Sequence, residues 1–201
     1  MVKNATTAEE TRTRIMRTAF DEIYRQGFQG ASLNRIVDVA ETTKGALFHH
    51  FRGKADLGYA IVDEVLYPEV KRIWVDPLDA TDDPVGTLRK IMLKMAAECK
   101  GDRLCRGCPL NNLSQEMSPL DEEFRLRLEH IYSEWRRAIE GAFERGIDAG
   151  RIRREVKPKE VAAFMVAGFA GAIGTAKNAQ DPEIMKLAGA TLMNFLKTLE
   201  T

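Results

Sequence analysis

The sequence predicts an all-α protein of about nine helices. Apolar residues recur with helical period: Ile15, Ala19 and Ile23; Leu57, Ile61 and Val65; Leu88, Ile91, Met92, Met95 and Cys99; and a long stripe through Phe124, Leu128, Ile131, Trp135, Ile139 and Phe143. Proline and glycine punctuate the chain. Asp83-Pro84, Ser118-Pro119 and Asp181-Pro182 each put a capping side chain before a proline suited to the first helical position, and Asp121 follows Ser118 much as in a capping box. Gly27 and Gly150 each follow a long amphipathic run, where a left-handed residue ends a helix. No stretch alternates as a strand would.

The 201 residues are 44% hydrophobic and 30% charged, enough to bury a core and stay soluble. Thirty basic and thirty acidic residues cancel overall but not locally. Residues 1–54 hold nine Lys/Arg against six Asp/Glu, a net of +3, and the rest holds 21 against 24, a net of −3. A basic N-terminal module on an acidic bulk suits a polyanion partner. Met1–Phe20 is polar and charged and does not read as a signal peptide. The longest uncharged run, Val161–Ala176, is shorter than the roughly 18–20 residues of a membrane span. Three cysteines, an odd number, argue against a disulfide scaffold. The expectation is a cytoplasmic protein with no membrane partner and no cofactor.

Taken in order, the first helix carries Ile15, Ala19 and Ile23 and stops at Gly27. Ser32 then caps a short helix that turns Leu33, Ile36, Val37 and Ala40 inward, and after a tight break at Glu41-Thr42, Thr43 caps another that turns Leu47 and Phe51 inward. This is the layout of a helix-turn-helix, whose second helix enters the DNA major groove. The outer side of that helix is then Thr43, Lys44, Ala46, His49 and His50. Lys44 suits a phosphate or guanine, Thr43 a base edge or phosphate, and the Ala46 methyl a thymine methyl. Gly45 has no side chain, so the backbone can approach DNA closely. The chain divides into a DNA-binding domain, 1–54, and a helical regulatory and dimerisation domain, 55–201.

At Gly27-Phe28, Ser32, Ile36, Ala40, Thr43-Lys44-Gly45, Leu47, His50-Phe51, Lys54 and Leu57 the chain resembles the TetR family of transcriptional regulators. The resemblance implies a three-helix DNA-binding head on a helical ligand-binding body, and a homodimer through the last two long helices. Taken with the reading of the second helix, the residues expected to contact DNA are Ser32, Thr43, Lys44, Gly45, Ala46, His49 and Lys54. Two positions depart from the family pattern. Glu41 stands where glycine is usual, and a positive φ there would cost roughly 1 kcal/mol. Phe48 stands where tyrosine is usual and cannot make the hydroxyl bond to a phosphate.

Independently of the resemblance, Val161–Ala176 is apolar all round, so both of its faces call for cover. Gly168, Gly171 and Gly174 recur at three and allow another helix close. The last helix, Pro182–Leu199, offers Leu192, Phe195, Leu196 and Leu199. Two such helices per chain suit a four-helix dimer interface; the alternative is a central core helix of a monomer.

Cys105-Arg-Gly-Cys108-Pro109 admits three readings. The cysteines can be small buried hydrophobes. Cys105 and Cys108 have metal-ligand spacing, with Cys99 and His130 as the remaining ligands in principle, but no second close pair supports a metal site. Or Cys108, at a helix start with Arg103 and Arg106 nearby, has a lowered pKa and senses oxidants or electrophiles. The segment Cys108–Glu116 resembles an electrophile-responsive branch of the same family, which implies Lys177 as the cysteine's partner. Tyr132, Trp135, Phe164 and Met165 are the candidates for an apolar ligand pocket.

The leading function is a DNA-binding transcriptional regulator, not an enzyme. It would be a repressor released from a double-stranded DNA operator by a small-molecule or electrophile inducer, or by modification of Cys108. The alternatives are a thiol redox enzyme, disfavoured by the lack of a βαβ pattern around the CxxC, and a helical interaction protein with a degenerate head.

Overall fold

The computed structural model describes residues 7–98 and 101–201, without the side chains of residues 102 and 103. Lys3, Cys99 and the Arg103 side chain, which entered the expectations above, lie outside the described residues. Among the described residues the regular elements are helices: α1 (Ala8–Gly30), α2 (Leu33–Val39), α3 (Lys44–His50), α4 (Lys54–Ile61), α5 (Tyr67–Val70), α6 (Asp76–Asp79), α7 (Pro84–Glu98), α8 (Asp102–Arg106), α9 (Pro109–Met117), α10 (Glu122–Asp148), α11 (Pro158–Ala179) and α12 (Pro182–Lys197). Among the described residues the sole extended pairing is an isolated bridge between Ile152 and Glu200. The segments outnumber the expected nine mainly because π-helical turns at Val62–Leu66 and Lys71–Val75 set off the short α5 and α6. Such turns bond i to i+5, one residue more than an α-turn, and apolar patterning does not resolve a change that short.

Two compact units form, Met1–Leu66 with Asn112–Arg127, and Tyr67–Asn111 with Leu128–Thr201. In the first, α1 opens on a capping box between Thr7 and Glu10. It breaks where expected, at Gly27 (φ 77°, ψ 165°). Ile15 and Ala19 of α1 bury against Ile36 and Val37 of α2, Leu47 of α3, and Leu57 and Ile61 of α4. Phe124 of α10 meets Phe28 edge to face, with ring centroids 4.7 Å apart. Gly58 has to be glycine, since a Cβ there would lie 2.5 Å from Phe124 Cζ. The start of α10 corrects one expectation. Ser118 does not cap it; the chain turns first, and Asp121 takes the role, its Oδ1 accepting from the Phe124 N–H at 3.0 Å. The extra turn follows from Leu120 and Asp121 N–H both bonding to the Met117 carbonyl.

The second unit is built around the α11–α12 pair, with α7 against α12 and α8 against α11. Asp83 and Asp181 cap α7 and α12 as expected, accepting from Gly86 and Glu183 N–H at 2.9 Å each. Gly150 (φ 71°) follows α10, again as expected. α11 extends the uncharged run at both ends, through Lys159, Glu160 and Lys177, to 22 residues. By length and composition it could therefore cross a membrane, contrary to the count of uncharged residues alone. Here Val161, Met165, Phe169 and Ile173 lie buried in the core, and Ala163, Ala167 and Gly171 stay exposed. The glycines divide their roles. A Cβ on Gly168 would lie 2.9 Å from Leu192 Cδ2, so Gly168 admits α12 of the same chain, while around Gly171 there is open space. Leu192, Leu196 and Leu199, expected at an interface, are buried in their own core instead.

Candidate nucleic-acid interface

The helix-turn-helix is assembled by local capping. Ser32 Oγ accepts from the Arg35 N–H at 3.4 Å at the start of α2, and Thr43 Oγ1 accepts from the Ala46 N–H at 3.1 Å at the start of α3. Between them Glu41 takes a left-handed conformation (φ 47°). The turn therefore demands what the family's usual glycine supplies, and a glutamate meets it. Ile36 and Val37 of α2 and Ala40 just after it, with Leu47 of α3 and Phe51 just after that, are buried as expected, and Leu33 packs at the edge of the same cluster.

With those inward, α3 presents Lys44, Gly45, Phe48 and His49 to solvent, with Ala46 and His50 half-buried. Lys44 and Phe48, like Gly45 and His49, are one turn apart, so these four form a continuous strip. Among the described residues Lys44 makes no ion pair, whereas several other cations of this unit are engaged. Arg12 holds Glu64 in a two-pronged pair at 2.6 Å, Arg35 meets the buried Glu22 at 3.1 Å, and Arg52 meets Asp56 at 3.2 Å. Lys54 is also partly engaged. Its Nζ donates to the Gln29 carbonyl at 2.9 Å and lies 5.2 Å from the Phe28 ring centre. Burial pushes the Lys54 ammonium below its ordinary value, and the Glu116 charge opposes that. His49 and His50 stand ring to ring at 5.1 Å. Sequence reasoning passed over two features: the 51% exposure of Phe48 in the middle of the strip, treated there as a lost contact alone, and the carboxylate of Glu116. For Phe48 the signal was present, as an aromatic one turn beyond Lys44.

In the second unit, Cys108 precedes α9 and is half-buried, while Cys105 is exposed. The expected fall in the Cys108 pKa is reversed. Burial pushes the thiol up, and the backbone N–H groups of Asn111 and Leu110 offset this only in part. Lys177 does approach this loop. A Cβ on Gly107 (φ 72°) would lie 2.9 Å from Lys177 Cδ. Among the described residues no three His, Cys, Asp or Glu gather as a metal site. Of the pocket candidates, Trp135 and Met165 are buried in one cluster and Tyr132 packs on its edge. Phe164 does not join them: it is 50% exposed, its ring 4.9 Å from that of Phe195 on α12.

A helix cluster with two hydroxyl-capped helices about a left-handed turn, and an uncovered strip on the second, defines a helix-turn-helix protein, a reader of DNA. Comparison makes this specific. Residues 15–61 match the model of bacterial regulatory proteins of the tetR family, and residues 84–192 match the tetracyclin repressor-like C-terminal domain. The HTH-type transcriptional repressor DhaR of Mycobacterium sp. (strain GP1) is 30% identical over 149 residues, 74% of this chain and 73% of that one. The crystal structure of a TetR transcriptional regulator from Chloroflexus aurantiacus superposes with a TM-score of 0.85 at 24% identity, covering 96% of this chain and 97% of that one. A cysteine mutant of the TetR family regulator CifR, complexed with 26 bp double-strand operator DNA, superposes with a TM-score of 0.78 at 21% identity, covering 95% of this chain and 98% of that one. The chain belongs to the TetR family: it is a DNA-binding transcriptional regulator with a helix-turn-helix head and an all-α body.

Proposed function

We propose that the chain is a cytoplasmic, homodimeric repressor that leaves its operator when a small molecule binds residues 55–201. The observation that carries the DNA-binding part of this reading is the uncovered strip of α3, led by Lys44 and backed by the capped helix starts at Ser32 and Thr43. Ser32, Thr43, Lys44, Gly45, Ala46, His49 and Lys54 are the proposed contacts, with Lys54 moving its ammonium off Gln29 or sharing it. The exposed, uncharged row Ala163, Ala167 and Gly171 on α11 supports pairing with a second copy. Effector binding would favour a body conformation in which the two heads no longer match major grooves about 34 Å apart. The test is to select an operator from random DNA and follow affinity against salt. A steep salt slope and strong preference for the selected sequence support the reading; sequence-independent or salt-insensitive binding overturns it.

A second reading is release by modification of Cys108, favoured by one observation, the Lys177 side chain lying against Gly107 next to that cysteine. Lys177 would hold a thiolate by charge or react with the oxidised sulfur. Operator binding before and after hypochlorite, in the wild type, Cys108→Ser and Lys177→Ala, decides it. Release that persists in Cys108→Ser removes Cys108 from the role.

A further inference from the structure

The second unit contains a ring cluster with an unmet hydrogen bond. Trp135 is 4% exposed, yet among the described residues its Nε1–H has no hydrogen-bond partner. A buried indole N–H ordinarily finds an acceptor, and leaving one without costs about 1–3 kcal/mol. Around it other rings pack against one another. The Trp74 ring lies 4.5 Å from that of Trp135, tilted by 39°. Phe169 stands edge-on to both, at 4.8 Å from Trp74 and 6.0 Å from Trp135. Tyr132, half-buried, stacks over Trp135 at 6.4 Å.

A separate observation concerns the backbone. Trp74 is carried by the π-helical turn Lys71–Val75. A π-turn gives up regular α-helical bonding and is frequent at functional sites. Here it sets the ring of Trp74 against Trp135 and Phe169.

We propose that this ring cluster is the seat of the effector, and that the effector is a small, uncharged, flat molecule whose hydrogen-bond acceptor takes the Trp135 N–H. The proposal rests on the effector-released repressor reading and names the ligand class for it. Each part of the class follows from the residues. Four rings that already pack by face and by edge suit a planar partner slipping in among them. The Trp135 indole N–H, without an acceptor among the described residues, calls for a carbonyl, ether or similar oxygen. Among the described residues Glu22 is the one buried charged side chain, and it lies in the other unit, so an ionic ligand here would lose its hydration without a counter-charge. Met92 and Met165 in the same core are adaptable enough to make room.

The experiment uses the full chain and three probes of similar shape: 4′-methylacetophenone, which has an acceptor; 4-isopropyltoluene, which has none; and 4-methylbenzoate, which is charged. Calorimetry is expected to show the ketone binding about fivefold to tenfold more tightly than the hydrocarbon or the anion, the worth of one hydrogen bond. In Trp135→Phe, which keeps a ring, the ketone should fall to the hydrocarbon's affinity while the hydrocarbon is unchanged. Should that variant not fold, the indole N–H resonances of the two tryptophans give a second reading. The ketone should shift the Trp135 signal and the hydrocarbon should not, with Trp74→Phe assigning the pair. Equal affinity for ketone and hydrocarbon, preference for the anion, or no binding overturns the ligand class. Ketone binding that leaves a selected operator fully bound overturns the effector role. Failure of the repressor reading itself would look different, as no operator preference with or without the ketone.

Discussion

Glu116 and Phe28 meet across 88 positions of sequence: the Glu116 carboxylate accepts the backbone N–H groups of Phe28 and Gln29, both at 2.8 Å. It thereby caps the chain just past the break at Gly27, and a Cβ on Gly27 would lie 3.0 Å from its Oε2. Glu116→Ala should lower stability by about 2 kcal/mol, since two charge-assisted bonds go and the part-buried Phe28 N–H is left without an acceptor, while the exposed Gln29 N–H turns to water. Gly27→Ala should cost about 1 kcal/mol or more, from its positive φ and the crowded carboxylate. Denaturant unfolding checks both; a change under 0.5 kcal/mol, about the scatter of an ordinary surface substitution, in both variants would mean the clamp does not hold in solution.

Acid should weaken the start of α10. The Phe124 N–H bond holds the Asp121 carboxyl below its ordinary value, opposed by burial and helped by the hydroxyl of Tyr59 at 2.8 Å. A depressed carboxyl contributes stability that is present above its unfolded pKa of about 3.9 and is lost as pH falls through the lower folded value. Asp121→Ala should cost about 1 kcal/mol at neutral pH. The difference from wild type should shrink below about pH 4. A difference that stays constant down to pH 2, well below that carboxyl range, would assign the effect to packing instead.

Lys44→Ala should weaken DNA binding without lowering stability, because Lys44 is exposed and makes no ion pair among the described residues. A phosphate role predicts a loss across all sequences and a salt slope smaller by about 1; a base role predicts a loss of about 1–3 kcal/mol confined to one position. Unchanged affinity at low and high salt would take α3 out of the interface.

Gly171 lies in open space on the uncovered side of α11, so a charged side chain there should leave the fold of one chain intact. Gly171→Glu is expected to keep its helical circular dichroism and to sediment as a monomer, with operator binding sharply reduced. A variant that still sediments as the wild type does would move the interface elsewhere.

The two described cysteines should differ in reactivity. Cys105 is exposed, whereas burial raises the Cys108 thiol above its ordinary value. Iodoacetamide at neutral pH should label Cys105 first, and Cys108 should gain on it as pH rises, because the thiolate is the reactive form. Mass spectrometry of the two peptides reports the order; Cys108 labelling first would mean that Lys177 outweighs burial.

The all-α class, the hydroxyl caps of α2 and α3, the break at Gly27 and the inward residues of the head were legible in the sequence, because period and capping act over three or four residues. The positive φ at Glu41 was legible too, from one residue standing where glycine is usual. What neighbours distant in sequence decide was not. Nothing local shows that Glu116 reaches Phe28, that Leu192 fills the notch at Gly168 while Gly171 stays bare, or that Phe164 turns outward to Phe195. The Cys108 pKa is the plainest case. The helix start that sequence reveals pulls the thiol down, but burial, which depends on what packs over it, pulls up harder. Local rules set each helix and its ends; long-range packing set which face is covered, which charge is engaged and which donor is left without an acceptor.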